Sequence, residues 1–211
     1  MRYYKVPDET IRRLPKYLRG LLWLAGQGKK SVSSLGLAKL IGVNSWQIRK
    51  DFSYFGGFGK RGVGYDVETL TLEIKKILRL NIVNKAALVG VGNLGRAVLA
   101  FPGLKKYGFE IVAALENDPK KVGKKRSGLI VEDVSMIRTL KKRGIHIGII
   151  AVPRGAVQQV ADDLLEAGVN GIVKFSPGYI TVPKKVKVIT IDIAMDFARL
   201  PYYMPSNLLS A

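Results

Sequence analysis

"DFSYFGGFGKRGVGYD", residues 51–66, holds five glycines in sixteen positions, with Lys60 and Arg61 side by side and aromatics on either flank. Glycine loses more backbone freedom on ordering than any other residue. A loop this rich in it needs a contact that offsets the loss, or it orders only on binding. Gly56, Gly57 and Gly59 allow a sharp return of the chain, and Gly62 and Gly64 alternate with Val63 and Tyr65. That pattern fits a short β-hairpin with Lys60-Arg61 at or near its tip. A cationic tip of this kind can lie along phosphates or enter a narrow minor groove, whose negative potential attracts Arg.

Upstream, the spacing predicts helices. Ile11, Leu14, Leu18, Leu21, Leu22 and Ala25 mark one apolar face, which Pro15 is expected to kink or restart. Ser33 or Ser34 can cap a short helix, "LGLAKLI", and Asn44 or Ser45 can cap the next, "WQIRKDFSYF". Between them "GVNS" reads as a tight turn at Gly42. Small Ala38 followed by Gly42 and Ile48 is the spacing of a helix-turn-helix, which by itself is a weak signal also met in small helical bundles. In its second helix Ile48 and Phe52 share the core face. Ser45, Gln47, Arg49 and Lys50 fall on other faces and are candidates to touch DNA, Gln and Arg at base edges, Ser and Lys at phosphates. A helix-turn-helix followed by a Gly-rich hairpin is a winged helix, and Lys60 and Arg61 join the DNA-binding candidates. Asp66 can then cap an amphipathic helix carrying Leu70, Ile74 and Ile77 or Leu78.

Composition restricts the function. The chain has 211 residues, a net charge of +19, no Cys and a single His. Positive charge points to nucleic acid, an anionic membrane surface or acidic small molecules. Without Cys, thiolate catalysis, disulfides and Cys-ligated metals are excluded, and one His cannot build a His-rich metal site. No apolar run approaches the roughly 18 residues of a membrane span, and the start lacks the apolar core of a signal peptide. A soluble cytoplasmic protein without a metal is expected.

The remainder alternates strand and helix. "KAALVGVGNLGRAVLA" (85–100) reads as a buried strand, a glycine turn and a helix, with Gly90, Gly92 and Gly95 as G-x-G-x-x-G. In that context the three glycines make the turn, admit a pyrophosphate and let helix pack on strand. Backbone N–H groups of Val91, Asn93 and Leu94 complete the phosphate cradle. A second strand, "FEIVAALENDP", ends in Glu116 and Asp118, with Glu116 21 residues after Gly95. Acids there can accept from an adenosine ribose, which favours NAD(H) over NADP(H). The basic run "KKVGKKR" (120–126) tempers that preference; it reads as a solvated loop, with a phosphate clamp as the alternative. "SMIRTLKKR" reads as a helix, "GIHIGIIAV" as a strand with His146 as a structural residue inside it, "GAVQQVADDLLEAG" as a helix and "NGIVKF" as a strand. Such alternation means a doubly wound parallel sheet. Pro153 and Arg154 and the segment "FSPGY" (175–179) follow strand ends where ligands of such sheets bind. The last strand and a short amphipathic helix lie in "VITIDIAMDFARLPYYM", whose apolar residues suit a subunit contact. The expected organisation is a winged-helix domain at 1–80, a joint at 81–85, a Rossmann domain at 86–192, and a C-terminal helix and tail at 193–211.

Three stretches, "GVNSWQIRKDFSYFGGFGKRGVGYDVE", "LVGVGNLGRAV" and "DPKKVG", together closely resemble the Rex family of bacterial redox-sensing repressors. The resemblance runs from "IRRLPKYLRGL" to the C-terminal helix. It implies a homodimer on a double-stranded inverted-repeat operator, with NADH and NAD+ as ligands and a C-terminal helix swapped onto the partner. NADH at Gly90–Gly95 would release the operator. Three departures stand out. "LENDP" has Glu116 where the family has Asp, and "FSPG" replaces "FAPV". Phe101 replaces a Tyr whose hydroxyl, in the family, lies near an Asp matched here by Asp192, which also pairs with an Arg matched by Arg19. Phe101 cannot make that bond, so the redox switch is expected to be weaker or differently wired. Two rivals remain at this stage: a Rossmann oxidoreductase, short of a proton donor, and a CoA-binding module, which has no use for a winged helix.

Overall fold

The computed structural model describes residues 6–60 and 62–205. The chain divides into two compact units that meet in sequence between Ile82 and Val83.

In the first unit, α1 (Asp8–Gly26) is followed by β1 (Ser31–Val32), α2 (Ser34–Ile41), α3 (Ser45–Ser53), β2 (Gly59–Lys60), β3 (Gly64–Asp66) and α4 (Val67–Ile77). Helix α1 runs unbroken through Pro15, contrary to the expected kink or restart. The caps are side-chain oxygens. Ser33 accepts from Gly36 N at 2.9 Å, Asn44 from Trp46 N at 2.8 Å and Asp66 from Thr69 N at 2.8 Å. Gly42 ends α2 in the left-handed region, at φ 63°.

The aromatics flanking the glycines explain how the hairpin is anchored. Phe52 lies 2% exposed and meets Tyr17, Phe58 and Tyr65 edge-on, with ring centroids 5.4, 5.6 and 5.2 Å away. Strand β3 pairs antiparallel with both β2 and β1, so the wing is three-stranded. The sequence reading missed β1, which is only two residues long. Gly64 sits at φ 94°, where an added Cβ would come within 2.6 Å of the Val32 carbonyl oxygen. Close pairing with β1 thus demands glycine there.

The second unit begins with β4 (Asn84–Val89), so the strand starts inside the stretch read as a joint. Then come α5 (Asn93–Ala100), α6 (Gly103–Lys106), β5 (Phe109–Glu116), β6 (Lys125–Arg126), β7 (Leu129–Asp133), β8 (Ile147–Ile150), α7 (Val157–Glu166), β9 (Gly171–Lys174), β10 (Lys187–Thr190) and α8 (Ile193–Phe197). They form one sheet in the order β10-β9-β8-β4-β5-β7-β6, parallel except for the β6–β7 edge. Ala87, Val89, Leu115, Ile150 and Leu164 pack on one face; Ala86, Leu88 and Ile149 pack on the other, with Val98 and Leu99 of α5.

Three expectations change here. "SMIRTLKKR" overlaps a 3₁₀ segment, Val134–Thr139, rather than forming an α-helix. The run 120–126, read as a loop, ends in edge strand β6. His146 is exposed and precedes β8 rather than lying inside a buried strand.

Candidate functional site

Helix α3 takes its place from Asp51, which is fully buried on its inner face. Arg13 of α1 donates Nε to Asp51 Oδ2 at 2.6 Å and Nη2 to Oδ1 at 2.8 Å. Thr10 and Tyr17 of α1 and Gln47 of α3 also donate to this carboxylate. Burial alone would raise its pKa, but the four donors outweigh that and hold it below the usual carboxylate range. Burial, then the bond to Asp51, pushes the Tyr17 phenol up, so it stays protonated.

This hub decides which side chains α3 presents. Arg49 and Lys50 are exposed, while Ser45 and Gln47 are half-buried. The Gln47 amide is turned onto Asp51 Oδ1 at 2.8 Å. Arg49 donates to Ser34 Oγ at 3.0 Å, and Lys50 Nζ lies 4.8 Å above the Trp46 ring. Trp46 is itself 56% exposed, and sequence reasoning did not select it. The signal was available: positions 46, 49, 50 and 53 form one helical stripe. Lys60 pairs with Gly64 through its backbone in the wing, whereas Arg61 lies outside the described residues.

In the second unit, β4 delivers Gly90 to the carboxyl edge of the sheet at φ 95°. A Cβ on Gly90 would meet the Ala151 carbonyl oxygen at 2.5 Å, and one on Gly95 would meet the Gly90 carbonyl oxygen at 1.9 Å. These two glycines exist for packing. Gly92 is different, since nothing lies within 4 Å of its added Cβ. It N-caps α5, where the first N–H groups of a helix have no intrahelical acceptor and attract anions. Of the neighbouring residues, Val91 is buried and Leu94 is 39% exposed, while Asn93 Oδ1 accepts from Arg96 Nη2 at 2.6 Å. A cleft of about 320 Å³ beside them is lined by Val91, Gly92, Asn93, Arg96, Lys121 and Arg126, with Val131 at its base.

Glu116 does not point into open space. It is 6% exposed, and its oxygens accept from Val91 N at 2.9 Å, Asn117 N at 2.9 Å, Asp118 N at 3.3 Å and Lys121 Nζ at 3.1 Å. Burial opposes ionisation, yet these donors hold the carboxyl below its usual range. The Glu116 carboxylate thus ties the turn that follows β5 to the loop that follows β4. Asp118 is more open, with 37% of its side chain exposed.

At the other half of the edge, Pro153 and Arg154 are exposed after β8. Arg154 Nε lies 3.5 Å from the Cβ position of Gly178, so the β8 and β9 loops adjoin. Strand order reverses about β4, where dinucleotides cross such sheets. The residues proposed for a switch sit on separate elements. Arg19 is exposed on α1, Phe101 is 59% exposed after α5, and Asp192 caps α8 by accepting from Met195 N at 3.3 Å.

A winged helix followed along the chain by a dinucleotide-type parallel sheet defines a class, that of ligand-responsive transcriptional regulators. The CoA binding domain family matches residues 82–178, and the family described as putative DNA-binding protein N-terminus matches residues 5–53. The redox-sensing transcriptional repressor Rex of Chloroflexus aggregans is 44% identical over 94% of both chains. That of Lactobacillus gasseri is 42% identical over 96% of this chain and 95% of its own. The crystal structure of RSP in complex with beta-NAD+ and operator DNA matches at a TM-score of 0.90, with 33% identity, over 98% of this chain and 95% of that one. RSP in complex with beta-NADH matches at 0.89 with 32% identity, over 98% and 97%. The chain belongs to the Rex family of redox-sensing transcriptional repressors.

Proposed function

We propose that this chain represses transcription as a homodimer on an inverted-repeat operator and releases the DNA when NADH occupies its sheet. One observation carries the reading: both halves of the machinery lie in a single chain that matches, almost end to end, a repressor solved with operator DNA, with NAD+ and with NADH.

In this reading Arg49, Lys50 and Trp46 face the duplex, Ser45 contacts a phosphate, and Lys60 and Arg61 of the wing reach the adjoining backbone or minor groove. Gln47 contributes by stiffening α3, given its bond to Asp51. Ordering of the Gly-rich wing is offset by phosphate contacts, each of which steepens the salt dependence of binding. The pyrophosphate lies over Gly90, Val91, Gly92, Asn93, Leu94 and Gly95. Asp118 accepts from the adenosine ribose, while Glu116 fixes the loop. Pro153 and Arg154 flank the nicotinamide half.

The exposed apolar residues Ile193, Met195, Phe197, Leu200, Tyr202 and Tyr203 suit burial against a second copy, as a swapped C-terminal helix requires. Two half-sites must be matched together, so a change in dimer geometry weakens both. A 100-fold loss of operator affinity needs roughly 2.7 kcal/mol of coupling, which NADH can supply only by differing in affinity for the two dimer states. In this reading Arg19, Phe101 and Asp192 belong to the redox switch, with Phe101 unable to make the hydroxyl contact. No turnover is proposed: His146 precedes β8 at its amino end, away from the ligand edge, and the chain has no Cys. The site of action is the cytoplasm.

The test is fluorescence anisotropy on a palindromic AT-rich operator, repeated with NADH and with NAD+. NADH should raise the operator Kd and NAD+ should not. Equal operator affinity under saturating NADH rejects the reading.

A further inference from the structure

Lys174 is the last residue of β9 and only 1% exposed, in register with Ile150 on one side and Thr190 on the other. Its Nζ donates to the carbonyl oxygens of Ser176 at 2.8 Å and Gly178 at 2.5 Å. Among the described residues no carboxylate pairs with it. Ser176, 4% exposed, donates its hydroxyl to the Val152 carbonyl. The loops that end β8 and β9 are thereby stitched together over a buried ammonium, with Arg154 alongside Gly178.

A buried ion without a counter-charge is expensive and acts over a longer distance than one in water. The two carbonyl dipoles damp its field without cancelling a full charge. The carboxyl ends of β8 and β9 are where the nicotinamide half belongs once the adenosine half lies over β5. NADH and NAD+ share the adenosine, both riboses and the pyrophosphate. They differ at the ring, which is neutral when reduced and carries a positive charge when oxidised.

We propose that Lys174 is the charge selector at the nicotinamide end: its buried ammonium disfavours the cationic oxidised ring and so sets a preference for NADH over NAD+. The proposal rests on the dinucleotide reading given above. Two neutral carbonyl contacts could be reproduced by other residues; a fixed positive charge at the ends of β8 and β9 could not.

Calorimetric titration of the full chain, without DNA, tests it. In wild type NADH should bind more tightly than NAD+. In Lys174→Met, which keeps an unbranched chain of similar length and removes the charge, the ratio Kd(NAD+)/Kd(NADH) should fall about tenfold, equivalent to about 1.4 kcal/mol. A Met variant that binds NADH with an unchanged ratio overturns the proposal. Should that variant fail to fold, wild type decides with ADP-ribose, which lacks the ring. NAD+ should bind no more tightly than ADP-ribose; NAD+ tighter by tenfold overturns the selector while leaving the dinucleotide site intact. Wild type that binds neither NADH nor ADP-ribose overturns both readings.

Discussion

Arg13 closes two nitrogens on Asp51, Nε at 2.6 Å and Nη2 at 2.8 Å, and so fastens α1 to the recognition helix α3. The carboxylate is fully buried, and Thr10, Tyr17 and Gln47 take its remaining acceptor sites. Removing it strands the Arg13 guanidinium and three neutral donors. Asp51→Ala should therefore lower unfolding stability by about 3 kcal/mol or more, as breaking a buried ion pair does. Urea unfolding followed by tryptophan fluorescence checks this; a midpoint within error of wild type would show the hub to be dispensable.

The same carboxyl makes the fold acid-sensitive. Its folded pKa lies below the unfolded value of about 3.9. A depressed pKa means the unfolded chain binds the proton more tightly, so the stabilisation is complete above the unfolded pKa and is lost as pH falls through the folded one. Glu116 acts with the same sign. Melting temperatures from pH 6 to pH 2 should show wild type losing its advantage over Asp51→Asn only on the acid side of about pH 4. A gap that stays constant over that range would contradict the assignment.

Two glycines of one motif should fail in different ways. Gly92→Val meets open space and should melt near wild type, yet bind NADH at least 100-fold more weakly by filling the approach to the phosphates. Gly95→Ala places a methyl 1.9 Å from the Gly90 carbonyl oxygen and should lose stability itself. Thermal shift with and without NADH separates the two; wild-type NADH binding by Gly92→Val would move the pyrophosphate elsewhere.

Arg49→Ala and Arg61→Ala should each weaken operator binding about tenfold without changing NADH affinity, because neither lies in the unit that holds the glycine motif. Loss of a phosphate contact should also reduce the slope of log K against log salt by about one. Anisotropy titrations at several salt concentrations measure both quantities. Retardation identical to wild type would remove these residues from the interface.

Trp46→Ala should behave like a contact residue rather than a core one. Trp46 is 56% exposed, with the Lys50 ammonium 4.8 Å above its ring. Operator affinity should fall while the melting temperature moves by no more than a few degrees. A large destabilisation with intact binding would reverse the assignment.

By itself the sequence determined the main alternation of strands and helices, the winged helix and the glycine turn. Each rests on short-range signals: cap residues one to three positions from a helix, apolar runs of strand length, glycines at set spacing. It did not disclose the two-residue β1 or strand β7, since each is held by a partner supplied elsewhere in the chain, nor the short β6 that pairs with β7, nor the unbroken path of α1 through Pro15. Only the tertiary structure decided what the charged residues do. Thr10 and Asp51 meet across 41 residues and Val91 and Glu116 across 25, so no local pattern could report that one carboxylate anchors α3 and the other holds the loop after β4. Lys174, at the end of an apolar strand, is marked by nothing but its neighbours' hydropathy; its burial, with no carboxylate partner among the described residues, is a property of the folded sheet edge.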